Sequence, residues 1–188
     1  MPLRLNLGSG NEPLDGYVNL DLRTVPGVNV RVDARHLPFA GHAANEIRAS
    51  SLLEHFHDPY SVLDEVHRVL RADGTFEMRV PTPWSMAGVL DSTHVFLADL
   101  KLWREILNGY FESVTVQSEG IRYRDHKPLA ALLHVAVQVL RMHEFAQVWR
   151  FTCRGRRTTR SIAYVPWWLE EKYGVRSTAP ANAPRGAR

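Results

Sequence analysis

Polar and apolar residues alternate from the third position, with Leu3, Leu5 and Leu7 set against Arg4 and Asn6, the period of a strand. Gly8-Ser9-Gly10 follows at once and predicts a tight turn with its backbone close to a ligand. A second apolar run, Tyr17-Val18-Asn19-Leu20, ends in Asp21, eleven residues past Gly10. A third, Val28 to Val32, ends in Asp33-Ala34, and a fourth runs from Glu46 to Ser50. The period then becomes helical. Asp58 is a good N-cap, Pro59 suits the first helical position, and Val62, Leu63, Val66, Val69 and Leu70 form one stripe. Asp73-Gly74 ends that element, and Thr75 to Val80 is a fifth strand closed by Pro81-Thr82-Pro83-Trp84. Leu97, Leu100, Trp103, Ile106 and Leu107 recur at helical spacing up to Asn108-Gly109. Phe111 to Gln117 reads as a sixth strand, and Phe145 to Cys153 is the candidate for a seventh.

Strands that alternate with helices or loops predict an α/β fold with a mostly parallel sheet. Only ten residues separate Leu7 from Val18, about the minimum for a parallel crossover. The first helix is therefore expected to be replaced by the loop Asn11 to Gly16, and the helix layer on one side of the sheet to be reduced. Residues 128–142 carry a helical stripe that is apolar on its opposite face too, expected as a lid or a dimer contact ahead of contact with a membrane-bound, lipid-linked sugar. Beyond it come the basic run Arg154 to Arg160, an aromatic cluster around Trp167-Trp168, and an Ala/Pro/Gly-rich end expected to be disordered. The expected organisation is one domain over residues 1–153, with an inserted helix at 127–143, and a C-terminal extension over 154–188.

Composition narrows the function classes. With 188 residues, 45% hydrophobic and 23% charged, the chain has the makings of one globular core. The net charge of +3 is concentrated near the C-terminus, so composition gives no argument for nucleic acid. The single Cys153 excludes an internal disulfide. The chain enters a strand immediately and has no apolar run near the ~20 residues that span a bilayer. A cytoplasmic location without signal peptide or transmembrane segment is the expectation.

A carboxylate ending the strand beside a Gly-rich turn is placed to accept both hydroxyls of a ribose, which is what Asp21 offers. The succession LNLGSG, NLDL, VDARHLPF, SSLLEHF and LDEVHRVLRADGTFEMRVP resembles the class I S-adenosylmethionine-dependent methyltransferases, most of all a compact bacterial branch linked to saccharide and glycan biosynthesis. The resemblance covers about the first two-thirds of the chain. It implies a Rossmann-like sheet of about seven strands, with the last one antiparallel and at the edge. It implies S-adenosyl-L-methionine as cofactor, held by Asn6, Gly8, Gly10, Asp21, Leu22 and Ser51, with Asp33-Ala34 reading the adenine and Leu37 packing on its face.

Methyl transfer from a sulfonium mainly requires that donor and acceptor be held in line and water kept out, and it requires no metal. No Cys/His cluster with zinc spacing occurs in the sequence. A hydroxyl acceptor needs a base, and histidine is the side chain best suited near neutral pH. His94 is the first candidate, with Asp91 to orient it, and His55 is the reserve. The Asp91-Ser92-Thr93-His94 stretch resembles an Asp-x-Thr-His element of the saccharide-linked branch, with Phe96 closer to the histidine than there. The expected acceptor is a small molecule or saccharide, and the expected assembly a homodimer or a pairing with a glycan enzyme. A non-catalytic, cofactor-binding partner subunit is the alternative. A nucleic-acid methyltransferase ranks last, because the Asp/Asn-Pro-Pro-aromatic motif is missing and Asp58-Pro59-Tyr60 starts a helix one loop too late.

Overall fold

The computed structural model describes residues 2–121 and 146–158, with residues 128, 132, 135, 139 and 143 between them. The expected helix over 127–143 and the Trp167-Trp168 tail fall almost wholly outside the described residues.

Four parallel strands come first: β1 (Arg4–Leu7), β2 (Val18–Asp21), β3 (Val30–Arg31) and β4 (Ala44–Ser50). Loops alone connect them, as the short spacings require. A 3₁₀ turn, Leu53–His55, leads into α1 (Pro59–Val69), where the Asp58 carboxylate accepts from the Tyr60 N–H at 3.0 Å. That bond satisfies one of the donors a helix N-terminus leaves open. β5 (Leu70–Pro81) follows without a loop. Its pairing with β4 jumps from Leu70 to Thr75, so Arg71 to Gly74 bulge out and the regular ladder begins where the sequence suggested, at Thr75. Then come α2 (Met86–Leu90), α3 (Leu100–Asn108, capped by Asp99), β6 (Phe111–Ile121) and β7 (Ala146–Arg156).

The seven strands form one sheet in the order β3-β2-β1-β4-β5-β7-β6. β7 is antiparallel to both neighbours, with Cys153 between Phe76 and Val114. It does not lie at the edge, as expected, but in the slot between β5 and β6. Burial explains the placement. Trp149, Phe151 and Cys153 are at most 1% exposed, and an edge strand could not cover all three on both flanks. β7 also runs past Cys153 into the basic segment, pairing Arg154 with Ser113 and Arg156 with Phe111.

The core lies on one face of the sheet. Leu5, Leu7, Leu20, Ile47, Phe76, Met78 and Phe151 alternate inward from their strands and meet Val62, Leu63 and Val66 of α1 and Trp103, Ile106 and Leu107 of α3. The opposite face carries Asn6, Asn19, Arg48, Glu77, Arg79 and Arg150, joined by hydrogen bonds and ion pairs. The reduced helix layer expected from the short loops is a bare polar sheet face among the described residues. No described helix is long and apolar enough to cross a membrane.

Candidate active site

The strands β1 to β4 all end at one edge, where the chain turns sharply. Gly8 and Gly10 have positive φ of 63° and 50°. A Cβ on Gly8 would stand 2.6 Å from Leu52 Cδ1, so a side chain there would have to displace Leu52 in addition to adopting the positive φ. Ser51, just after β4, holds φ of 49°, uncommon for a residue with a Cβ and a sign of local constraint beside the ligand cleft.

The cleft behind these turns has a volume of about 450 Å³ and is lined by Leu7, Gly8, Leu20, Asp21, Leu22, Val32, Asp33, Ala34, Ser51, Leu52 and Phe56, with Arg23, Arg35, His55 and Thr93 at its margins. Parallel sheets bind ligands at this edge because strand ends and loop backbones leave a crevice there. Of the residues expected to hold the cofactor, Gly8, Asp21, Leu22, Asp33, Ala34 and Ser51 come together on it. Gly10 sits one step behind, its N–H donating to Asp21 Oδ2 at 2.8 Å and so fixing the carboxylate. Two expected residues are elsewhere. Asn6 points to the polar sheet face, where its amide donates to Asn19 Oδ1 at 2.8 Å. Leu37 is in the core, with its backbone N–H held by Glu65 Oε2 at 2.7 Å, and Ala34 and Phe56 take the cleft wall instead.

Sequence reading overlooked Arg23 and Arg35. Arg23 gives Asp21 Oδ1 a backbone N–H at 2.8 Å and its Nε at 3.2 Å. Arg35 grips Asp33 through Nη2 at 2.6 Å and Nε at 3.0 and 3.1 Å. Burial works against the charge of Asp21, but the hydrogen bonds from Arg23 and Gly10 outweigh it and hold the carboxyl below its ordinary pKa. Arg35 does the same for Asp33, chiefly by its side-chain hydrogen bond. Both carboxylates are thus ionised acceptors at neutral pH. A two-residue Asp-x-Arg spacing, present in both loops, is the signal that could have exposed the arginines.

Beside the cleft a second, shallower pocket is lined by Ser51, His55, Met86, Ala87, Leu90, Asp91, Ser92 and His94. Ser51 and His55 belong to both spaces. The three expected catalytic residues therefore meet here. Thr93 donates its single hydroxyl proton to Asp91 Oδ1 at 2.6 Å, so toward His55 Nδ1, 3.0 Å away, its oxygen acts as acceptor. This makes Nδ1 the protonated nitrogen of His55 and leaves the Nε2 lone pair free. His94 packs edge-on against His55 with ring centroids 4.8 Å apart, and its Nδ1 faces the Gly88 carbonyl at 3.3 Å. Its Nε2 stands 3.6 Å from Asp91 Oδ2 and 3.9 Å from Glu54 Oε1. Glu54 is 1% exposed, and burial, with the Asp91 charge nearby, pushes its pKa up to about 7.

Comparison with known proteins bears on the domain and its fold. Residues 15–78 match the family described as a methyltransferase domain. That stretch contains Asp21, Asp33, Ser51, Glu54 and His55. The fold is shared with solved S-adenosyl-L-methionine-dependent methyltransferases. A SAM-dependent methyltransferase from Archaeoglobus fulgidus superposes with a TM-score of 0.61 at 15% identity, covering 83% of this chain and 86% of that one. A SAM-dependent methyltransferase from Thermotoga maritima gives 0.60 at 13% identity, over 82% and 83%. The Haloferax volcanii methyltransferase solved with the Trm112 methyltransferase activator gives 0.56 at 15%, over 83% of each. At these identities the likeness is one of fold. No curated protein matches the chain.

Proposed function

We propose that the chain transfers a methyl group from S-adenosyl-L-methionine to a hydroxyl of a small-molecule or saccharide acceptor. The observation that carries this reading is the junction of two spaces at Ser51 and His55, a cleft that fits the cofactor and a pocket with the histidine cluster. The fit to the cofactor rests on this chain's own features. The side-chain-free turn at Gly8 admits a ligand close to the backbone, and Asp21 and Asp33 present ionised acceptors for a ribose and an exocyclic amine. Arg23 and Arg35 share those carboxylates with the ligand or swing aside as it enters.

The cofactor supplies an activated methyl on a sulfonium. The protein supplies the proton acceptor and the alignment. His55 is placed to take the hydroxyl proton on Nε2, because its ring borders both spaces and the Thr93–Asp91 chain fixes its tautomer. His94 buttresses that ring. This reverses the order of the two histidines expected from sequence, since the side chain of His94 is 6% exposed and turns Nε2 toward Glu54 and Asp91.

Calorimetry with S-adenosylhomocysteine tests the cofactor half. Asp21→Ala should weaken binding by about 1.5–3 kcal/mol, the scale of hydrogen bonds to a charged acceptor. Unchanged affinity would remove Asp21 from the site. With an acceptor found among hydroxylated metabolites and nucleotide sugars, His55→Ala should lower kcat about a hundred- to ten-thousand-fold and His94→Ala less. The reverse order would restore His94 as the base. Tight cofactor binding with no turnover across the panel would favour a non-catalytic partner subunit.

A further inference from the structure

We infer that Glu54, His55 and His94 form a binding site for one divalent transition-metal ion at the floor of the acceptor pocket. One ligand atom from each residue lies within 4.8 Å of the other two. Four-coordinate donors at about 2.0–2.1 Å stand roughly 3.3 Å apart, so side-chain rotations of an ångström or so close the set around an ion.

Three further observations point to a cation. Glu54 is 1% exposed, and neither carboxylate oxygen has a well-formed hydrogen bond, the Ser51 side chain contributing only a weak one. An unpaired acid buried this deeply is costly, and a carboxylate aimed at two imidazoles has an evident use for a positive charge. Both histidines are also held as ligating histidines usually are. Nδ1 of His55 is tied to Thr93 and Nδ1 of His94 faces the Gly88 carbonyl, so each ring keeps the Nε2 lone pair for a metal. Finally, Asp91 Oδ2 lies 3.6 Å from His94 Nε2 and can serve as a fourth, displaceable ligand. Two imidazoles and one carboxylate suit zinc and its first-row neighbours better than magnesium or calcium.

The site binds the ion whatever the reaction, but its role rests on the function proposed above. An acceptor hydroxyl coordinated in the pocket would be made acidic by the metal and would pass its proton to the displaced Asp91 carboxylate, which replaces His55 as proton acceptor once Nε2 is a ligand. With Asp91 displaced and the ion expanded to five-coordination, two positions open, which favours acceptors with two adjacent oxygens, such as vicinal diols or hydroxy acids, which can chelate.

The test uses the full chain without an affinity tag, stripped by a chelator and titrated with zinc in a calorimeter and with cobalt(II) in a spectrophotometer. One ion per chain is expected, with visible cobalt bands of nitrogen- and oxygen-ligated metal. Glu54→Gln and His55→Ala should each weaken binding about tenfold or more. His55 is surface-exposed, so its variant remains informative if Glu54→Gln folds poorly. Absence of stoichiometric binding, or equal affinity in His55→Ala, overturns the site. Methyl transfer undiminished in chelator would overturn the ion's role and leave the proposed function standing, whereas one bound ion in a protein inert toward the whole panel would keep the site and remove the function.

Discussion

Phe76 and Glu77 are neighbours in β5, and they belong to different molecules in all but covalent terms. Phe76 is fully buried and stacks on Phe111, with ring centroids 5.8 Å apart. Glu77 points to the other face, where it pairs with Arg48 and lies 4.0 Å from Arg150 Nε. The same division runs across the sheet. On the helix side Leu5, Ile47, Met78 and Phe151 are buried completely. On the other, Arg4 reaches Glu46 at 3.6 Å, Tyr17 donates to Glu46 Oε1 at 2.5 Å, and Arg79 reaches Glu119 at 2.6 Å, with Arg150 also paired to Glu119. A parallel sheet usually needs apolar cover on both faces. Among the described residues one face does without it by exchanging hydrocarbon for a row of alternating charges, and that exchange suits the short, helix-free loops between β1, β2 and β3. The same loops carry Gly8, Asp21 and Asp33. The economy that strips the second layer therefore also sets the cofactor residues in a shallow, accessible cleft.

If stability resides in the helix face, truncating it should have the largest effect. Phe76→Ala should cost about 3–5 kcal/mol in equilibrium denaturation, combining lost transfer energy with a cavity facing Phe111 and α1. A cost below about 1 kcal/mol would show that the core face yields easily and that the two faces are not so different. One residue along, Glu77→Gln should cost only about 1–2 kcal/mol, because the Arg48 and Arg150 partners keep part of their hydration and each carries some screening. The decisive sign is salt dependence. The gap between wild type and Glu77→Gln should narrow in molar salt, while that of Phe76→Ala should not. Parallel behaviour would mean that Glu77 acts by packing rather than by charge.

What the sequence made legible was local. The alternation of Leu3 to Leu7, the Gly8-Ser9-Gly10 turn, the Asp58-Pro59 start of α1 and the place of Asp21 at the end of β2 depend on neighbours a few residues apart and were found where expected, whereas the third strand shrinks to Val30–Arg31. The insertion of β7 between β5 and β6 depends on pairings such as Phe76 with Cys153, which no local pattern reports. Asn6 misled for a related reason. In an alternating strand its side chain must face away from Leu5 and Leu7, and only the sheet assigns that side to Asn19 rather than to the ligand. Glu54 was hidden because a carboxylate in SSLLEHF reads as a loop residue, and its burial comes from the Asp91–His94 segment folding back some forty residues later, with the Val95 and Phe96 N–H groups donating to its carbonyl at 2.8 and 3.0 Å.

The smallest effect is expected at the cleft edge, where neither face rules. Arg35 holds the Asp33 carboxyl below its ordinary pKa, and the pair is partly exposed, with side-chain exposures of 49% and 26%. A carboxyl whose folded pKa is depressed contributes stability that is present above its unfolded value, about 3.9, and is lost as pH falls through the folded value. Asp33→Asn should therefore lower Tm modestly at pH 7, keep that deficit down to about pH 4, and then converge on wild type as the acid is taken lower, because the wild-type carboxylate is itself being neutralised there. Melts at pH 7, 4 and 2.5 read this directly. A deficit that persists unchanged at the lowest pH would assign Asp33 a shape-dependent role in its turn, through the Arg35 N–H that its Oδ1 accepts at 2.9 Å, and would leave the Arg35 ion pair without measurable weight.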